Sequence, residues 1–263
     1  MALLEAIELN KSFDHVVAAR NINVSIEENE VIGVIGANGA GKTTFVNMVT
    51  GYLKPTSGRI MFQGRDITHQ APRKITHLGI CRSFQVPQLF FTASVFDNLL
   101  IALGVAEGTL PSLLRPLRRP DLEARADEML ERYTIAQYRD QEVGLLPQGV
   151  RKLLDIAMAV VHKPSVLLLD EPTSGVSVDE KFGIMDIVMD ALKQAGVTVL
   201  FVEHDMEIIN RYAKRVLAFY DGTIIADGPP DDVLRDAKVR EYVIGEGPAH
   251  GTGTGAEKEG GHA

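Results

Sequence analysis

The segment from Gly36 to Thr43 is the part of the sequence whose residue types and spacing most directly suggest chemistry. It matches the pattern G-x-x-x-x-G-K-[ST]. In such a loop, backbone N–H groups surround phosphate oxygens, and the following helix adds partial positive charge. Lys42 is expected to reach the β- and γ-phosphates, and the Thr43 hydroxyl to bind Mg²⁺. The pattern predicts a binding site for Mg-ATP formed by Gly36, Ala37, Asn38, Gly39, Ala40, Gly41, Lys42, Thr43 and Thr44.

Two carboxylates follow an apolar run farther along the chain. Asp170 and Glu171 come directly after Val-Leu-Leu-Leu, a stretch typical of a buried strand. A phosphoryl-transfer site needs carboxylates at such a position. Asp170 is expected to hold Mg²⁺ through water, and Glu171 to polarise the attacking water as a general base. Alone, the stretch could equally be a strand end with capping acids. Its occurrence beside a phosphate-binding loop favours the catalytic interpretation.

Two further polar residues follow apolar runs. His204 comes directly after a second buried-strand pattern, VTVLFVE. Ligands of parallel sheets bind beyond the carboxyl ends of the strands, so a histidine there can reach a γ-phosphate or hold water. A lone histidine at a strand end is more often just a polar turn residue. Gln85 follows the strand-like run LGICRSF and could contact Mg²⁺ or the water, although by itself it indicates little.

The elements that must position these residues follow a β-α-β rhythm. The run VIGVIG predicts a buried strand, and KTTFVNMVTG predicts the helix after the glycine turn. The rhythm indicates an α/β fold with a mostly parallel sheet covered on both faces. The first thirty residues alternate as half-exposed strands do, and RVLAFYDGTIIADG predicts a hairpin around Asp-Gly.

A longer middle region, from about 86 to 161, interrupts this rhythm with mostly helical patterns. In its centre one helix face is formed by Leu122, Ala126, Met129, Leu130 and Tyr133. From about residue 246 to 263 the chain has almost no apolar content, so a disordered tail is expected.

Bulk composition excludes several classes of protein. The 263 residues are 45% hydrophobic and 24% charged, as in a globular protein with a real core. The formal net charge of −8 argues against a general nucleic-acid binder. A single cysteine, Cys81, allows no intrachain disulfide. The sequence contains neither a signal-peptide pattern nor an apolar run near the roughly 20 residues that a membrane span needs. A cytoplasmic location is expected.

In their order and spacing, these residues resemble the nucleotide-binding (ATPase) subunit of ABC transporters. The resemblance extends from about Leu3 to Gly245. It implies a P-loop NTPase (RecA-like) α/β core with a mostly parallel sheet, an N-terminal antiparallel β subdomain and a helical subdomain at about 86–161. One ATPase domain would then span 1–245, with the tail at 246–263 outside it.

The resemblance also implies roles for individual residues. His204 occupies the place of the family's switch histidine, and Gln85 that of the glutamine loop, which implies catalytic roles for both and metal binding by Gln85. Phe13 lies where the family has an aromatic ring stacked on adenine, whereas the bare residue would more often belong to a core. Thr173–Ser177 occupies the loop that crosses the dimer interface, and Ser177 replaces the aspartate usual there.

Within the family, this chain is most similar in its motifs to one branch. The run RSFQVPQLFFTASVFDNLLIALG resembles the glutamine-loop region of branched-chain amino-acid importers. That resemblance implies a second ATPase subunit, two transmembrane permease subunits, a periplasmic substrate-binding protein and a place on the inner face of the cell membrane. Three alternatives stay open: an ATPase of a lipid or glycolipid exporter, a clamp acting on nucleic acid or ribosomes, and a module that binds ATP without hydrolysis.

The family's signature motif is altered in this chain. The family pattern is Leu-Ser-Gly-Gly-Gln, and here the residues are Leu146-Pro147-Gln148-Gly149-Val150. The usual serine contacts the γ-phosphate of ATP on the partner subunit, so that contact is missing at Pro147. Proline is tolerated at the start of a helix, and Gln148 could supply a substitute donor. The hypothesis is that the site completed by this motif is weakened, and that the partner is a different chain.

Overall fold

The computed structural model describes residues 2–83, 88–108 and 117–245. The glutamine predicted to be catalytic, Gln85, and the predicted tail at 246–263 lie outside these residues. Within the described part of the chain, none of the helices is both long and apolar enough to cross a membrane.

The described elements alternate between strands and helices after an N-terminal pair of strands. In chain order they are β1 (Leu4–Phe13), β2 (Val16–Ile26), β3 (Val31–Gly36), α1 (Lys42–Val49), β4 (Ser57–Phe62), β5 (Arg65–Asp66), α2 (Pro72–Leu78), β6 (Ile80–Ser83), α3 (Val95–Ala106), α4 (Pro120–Arg132), two 3-10 turns (Ala136–Tyr138 and Val143–Leu145), α5 (Gln148–Val160), β7 (Val166–Asp170), α6 (Val178–Gln194), β8 (Thr198–Val202), α7 (Met206–Tyr212), β9 (Arg215–Tyr220), β10 (Thr223–Gly228), α8 (Pro230–Arg235), α9 (Ala237–Val239) and a π-helical turn (Arg240–Ile244).

The N-terminal strands form an antiparallel sheet in the order β2-β1-β4-β5. Side chains on one face of β1, such as Leu4, Ala6 and Leu9, are buried, while those between them are more exposed. This alternation is the pattern of a sheet with one face in a core and the other in water. The predicted antiparallel β subdomain is therefore confirmed.

A second sheet carries the centre of the fold. Among the described residues its strand order is β10-β9-β3-β8-β7-β6, and the inner pairs β9-β3, β3-β8, β8-β7 and β7-β6 are parallel. Its edge strand β10 pairs antiparallel with β9 through the two-residue loop Asp221-Gly222, as the Asp-Gly signal predicts. The predicted mostly parallel sheet is therefore confirmed.

Alternate side chains of the central strands enter two separate hydrophobic cores. Leu167 and Leu169 of β7 pack with Phe201 of β8 among the helices, whereas Val166 and Leu168 pack toward the N-terminal sheet and α1. Each fully buried leucine contributes about 2 kcal/mol of transfer free energy. Burial on both faces explains why these strands are continuous apolar runs without alternation.

The helices α3, α4 and α5 lie between β6 and β7 in the chain, within the region predicted to be a helical insertion. The predicted face of α4 is buried at Leu122, Ala126 and Leu130, and Tyr133 at its C-terminus is fully buried. The division of the chain into domain and subdomain stays a prediction. Among the described elements, β6 and β7 are neighbours in the sheet, although α3, α4 and α5 lie between them in the chain.

Candidate active site

The glycine-rich loop connects the end of β3 to the start of α1. Gly36 has φ +155°, and a Cβ there would lie 2.6 Å from the carbonyl oxygen of Phe219. Gly41 has φ +103°, and a Cβ there would lie 2.8 Å from the carbonyl oxygen of Ala18. Both positions therefore require glycine, for backbone conformation and for space. Between them, the residues 37–39 are exposed, so their N–H groups can meet a ligand.

Lys42 lies inside the curve of this loop. Its ammonium group donates hydrogen bonds to the carbonyl oxygens of Gly36 at 2.6 Å and Ala37 at 3.1 Å. Burial lowers the pKa of Lys42 below its usual value, and the negative charges of Glu171 and Asp170 oppose that shift. The loop, the ammonium and both carboxylates therefore belong to one electrostatic neighbourhood.

Asp170 is the last residue of β7, and its carboxylate is held from the neighbouring strand. The guanidinium of Arg82 on β6 donates to its Oδ2 at 2.5 Å and to Oδ1 of Asn47 at 2.6 Å. The Arg82 and Asp170 side chains are 8% and 12% exposed. Because Asn47 lies on α1, this chain of contacts ties the helix after the phosphate loop to two strands of the sheet.

Glu171 and His204 form the pair at the mouth of the site. Nε2 of His204 lies 3.2 Å from Oε1 of Glu171. Glu171 has φ +47°, a conformation that non-glycine residues rarely adopt, and its N–H donates to the carbonyl oxygen of Val202 at 3.0 Å. Strained backbone of this kind persists where surrounding contacts hold it and is common at functional sites.

The loop and this pair line one cleft of about 140 Å³, together with Val202. Thr43 and Thr44 of α1 lie on its wall, as predicted. Phe13 lies outside that lining, 47% exposed at the end of β1, with the Lys11 ammonium 4.9 Å from its ring centroid. The structure thus brings the loop, Glu171 and His204 together and leaves Phe13 on a neighbouring hairpin. Gln85 lies outside the described residues.

Sequence reasoning missed two charged residues at this site, Arg82 and Glu203. Arg82 is a lone cation in an otherwise apolar strand, and Glu203 is a carboxylate at the end of another. A charge inside a buried run needs a partner, which is the signal that could have found them. Neither partner could be identified from sequence, because each lies on a segment distant along the chain.

The altered signature motif lies at the start of α5. Pro147 is exposed and precedes the helix, which has no side-chain cap among its described contacts. A Cβ at Gly149 would lie 2.5 Å from Cδ1 of Ile184, so α5 begins in close contact with α6. A Cβ at Gly175 would lie 3.4 Å from Cγ of Gln148, which places the Gln148 side chain against the loop after Glu171.

A nucleotide-binding α/β fold with a phosphate loop, two carboxylates and a histidine at one sheet edge matches a known family. The family model described as ABC transporter matches residues 19–174. From Archaeoglobus fulgidus, the protein named "Probable branched-chain amino acid transport ATP-binding protein LivG" is 35% identical over 93% of this chain and 96% of its own length. A Salmonella typhimurium protein, "High-affinity branched-chain amino acid transport ATP-binding protein LivG", is 32% identical over 93% and 98%.

Solved structures give the same result. The ADP conformation of MJ1267, an ATP-binding cassette of an ABC transporter, superposes with a TM-score of 0.80 at 31% identity and covers 92% of this chain and 98% of that one. A nucleotide-free ATP-binding cassette from an ABC transporter gives 0.80 at 30%, with the same coverage. The chain belongs to the ABC transporter family. It is an ATP-binding cassette, the part of such a transporter that binds and hydrolyses ATP.

Proposed function

We propose that this chain couples ATP hydrolysis to the import of branched-chain amino acids. The observation that carries the proposal is the similarity over nearly the full length to proteins named for branched-chain amino acid transport, at 35% and 32% identity. Those names favour import over the alternative of lipid or glycolipid export. A related small organic anion is the alternative identity for the transported substrate.

In this proposal the glycine loop from Gly36 to Thr44 binds the phosphates of ATP. Its exposed N–H groups and the N-terminus of α1 are the donors, and Lys42 exchanges its two carbonyl partners for phosphate oxygens. Phe13 would stack on adenine. Its exposed ring suits this role, and its hairpin lies close to the loop because Ala18 of β2 contacts Gly41.

The residues of the site also fit Mg²⁺. This ion prefers oxygen ligands, and the site offers the Thr43 hydroxyl and the Asp170 carboxylate, with Gln85 as the third predicted ligand. Arg82 occupies one carboxylate oxygen of Asp170, which suits contact with the ion through water. When bound, the ion would neutralise charge that develops on the phosphates during hydrolysis.

Glu171 and His204 would prepare the attacking water. Glu171 would accept a proton from the water as it attacks, while His204, at 3.2 Å, would orient the Glu171 carboxylate and contact the γ-phosphate. Catalysis in this class depends mainly on positioning and electrostatics. The contacts that hold Glu171 in its strained conformation serve that purpose. Gln85 would add a further contact to the water or the ion.

A second ATPase subunit would complete the site across the cleft. The motif at Pro147 and Gln148 has no serine hydroxyl, so the site to which this chain contributes its motif would be the weaker one. This supports a partner that is a different chain. Disabling each of the two sites in turn and measuring turnover separates this arrangement from a symmetric one.

Two permease subunits and a substrate-binding protein would complete the importer, with this chain on the cytoplasmic face of the membrane. A groove of about 340 Å³ between α3, α5 and β6 is the surface that we assign to a permease. Its rim carries exposed aromatic rings, Tyr52 at 57% and Phe90 at 52%. Large exposed apolar side chains around a concavity are typical of interaction sites.

Phe90→Asp is expected to abolish co-purification with permease, while Phe91→Asp, outside the groove lining, is the matched control.

The proposed substrate is tested by uptake in cells. Deletion of the gene should abolish uptake of radiolabelled leucine, isoleucine and valine, wild-type chain should restore it, and Glu171→Gln should not. Ligand identification on the substrate-binding protein that co-purifies with the complex names the transported molecule. Unchanged amino-acid uptake after deletion, with a lipid recovered on the complex, would replace import by export.

A further inference from the structure

Glu203 is a buried carboxylate that joins two segments of the active site. It directly follows β8 and is 4% exposed. Its N–H donates to the carbonyl oxygen of Val34 on β3 at 3.3 Å. An ionised side chain is costly to bury unless hydrogen bonds satisfy it, so its partners explain its place.

Both carboxylate oxygens of Glu203 accept hydrogen bonds, from different segments. Oε1 accepts from the N–H of Thr173 at 3.0 Å and from the Thr173 hydroxyl at 2.7 Å. Oε2 accepts from the N–H of His204 at 3.2 Å. Two of these three donors are backbone N–H groups, which can only donate, so each oxygen accepts at least one hydrogen bond. Burial raises the pKa of Glu203, and these hydrogen bonds oppose the shift.

These two segments carry Glu171 and His204, the residues to which the proposed function gives roles at the γ-phosphate. Thr173 comes two residues after Glu171, and His204 is the next residue in the chain. Glu171 is also tied to β8 through Val202, the residue before Glu203. The 3.2 Å contact between Glu171 and His204 is therefore framed by Glu203 on the side away from the cleft.

We propose that Glu203 is a positioning residue that fixes the loop after Glu171 relative to His204, so that the two side chains meet at one geometry. This rests on the proposed roles of Glu171 and His204. Glu203 itself lies behind the cleft and does not line it. Because Thr173 begins the loop that includes Gly175, the same carboxylate also connects His204 to the segment against Gln148.

The test is Glu203→Gln in the full chain, purified with its partner subunits. Glutamine keeps the size but has one acceptor oxygen, and its amide would oppose one of the three donors. We expect kcat to fall about tenfold while KM for ATP stays within about twofold, since the damage concerns the geometry of attack and not nucleotide binding. Thr173→Val, which removes only the hydroxyl donor, should give a smaller loss of the same kind.

A double-mutant cycle separates positioning from general destabilisation. If Glu203 acts through His204, Glu203→Gln should reduce kcat little further in a His204→Ala background. Thr198→Val is the control. It removes another buried hydroxyl, which accepts from Asn29 N–H at 2.8 Å at the opposite end of β8, and it should leave kcat unchanged.

Each outcome identifies which idea fails. Wild-type kcat in His204→Ala would contradict the proposed role of His204. A large loss in His204→Ala with wild-type kcat in Glu203→Gln would overturn the positioning role alone. Fully additive losses in the double variant, or an equal loss in Thr198→Val, would also overturn it, because both would indicate a structural effect.

Discussion

Two helix N-termini in this chain can be compared, those of α1 and α5. Both begin without a side-chain cap among the described contacts, α1 after Gly41 and α5 after Pro147. The start of α1 opens into a cleft that also holds Glu171 and His204. The start of α5 has a proline where the family has serine, and the neighbouring Leu145 is 80% exposed. The same backbone feature thus occurs once in a cleft lined by Glu171 and His204 and once beside an exposed leucine.

The difference shows that a helix N-terminus needs neighbours before it can do chemistry. Each supplies partial positive charge worth about 1 kcal/mol or less. At α1, Lys42 and the carboxylates at the ends of β7 and β8 add the specific contacts. At α5, Gln148 is the residue left to add one, and its side chain lies against Gly175. We therefore propose that the N-terminus of α1 belongs to the working half of one ATP site, and that the N-terminus of α5 contributes only weakly to the other.

Of the variants considered, Lys42→Ala should have the largest effect on ATP turnover. Loss of the ammonium removes the charge that faces the phosphates and should lower turnover by about 10³-fold or more, with much weaker ATP binding. Calorimetric ATP titration and steady-state hydrolysis measure both effects. Thr44→Ser, on the same helix and cleft wall, is the matched control and should keep most activity. Retention of more than about a tenth of turnover in Lys42→Ala would contradict the role of the loop.

Glu171→Gln should remove hydrolysis and keep nucleotide binding. A general base contributes about 10²–10⁴-fold, so kcat should fall by that range while affinity for ATP stays near that of the wild type. Loss of ATP binding together with turnover would show that Glu171 has a structural role. That alternative must be tested because Glu171 has a strained backbone, with φ +47°. Glu207→Gln, exposed on α7, is the control for charge removal.

Arg82→Met should destabilise the region in which Arg82 joins α1 to β7. It leaves Asp170 without its cation in a largely buried position, a change that costs about 3 kcal/mol of unfolding free energy. Denaturant titration measures that loss. Asp170→Asn in the same background should recover part of it, because the unpaired charge is then removed as well. No recovery would mean that Arg82 contributes through packing and not through the ion pair.

Pro147→Ser should have the smallest effect of these variants, and it should raise ATP turnover instead of lowering it. It restores a hydroxyl at the position where the family contacts γ-phosphate, and one such hydrogen bond contributes about 1 kcal/mol. In the complex in which Lys42→Ala has removed turnover at the other site, we expect the remaining turnover to rise by about fivefold. Gln148→Ala should lower it if that amide is the present substitute. A fall in turnover with Pro147→Ser would contradict the idea that the proline weakens the site.

The sequence predicts much of this architecture because its strongest features are local. The run VIGVIG before the glycine loop, the apolar strand before Asp170 and the Asp-Gly hairpin each depend on neighbouring residues. Asp205 caps α7 by accepting from the Glu207 and Ile208 N–H groups, and aspartate is a preferred residue at that position. Similar local reasoning put Glu171 and His204 each at the end of a buried strand, and the structure shows that these two strands are neighbours.

What could not be predicted depends on contacts between distant segments. The pairing of Arg82 with Asp170 spans 88 positions, and that of Thr173 with Glu203 spans 30. Neither has a periodic pattern. The short helices α2 and α8 are too brief to show a helical repeat, and tertiary packing determines them. The positive φ of Glu171 accompanies a hydrogen bond between the ends of β7 and β8, and residue propensities carry no information about such a contact.

One measurement tests the asymmetry of the two half-sites most directly. In the complex of this chain with its second ATPase subunit, the phosphate-loop lysine is replaced by alanine on one chain at a time, and ATP turnover is compared. We expect Lys42→Ala to abolish turnover, whereas the same change on the partner, whose site we propose to be completed by Pro147 and Gln148, should leave most of it. Equal and complete loss in both variants would contradict it.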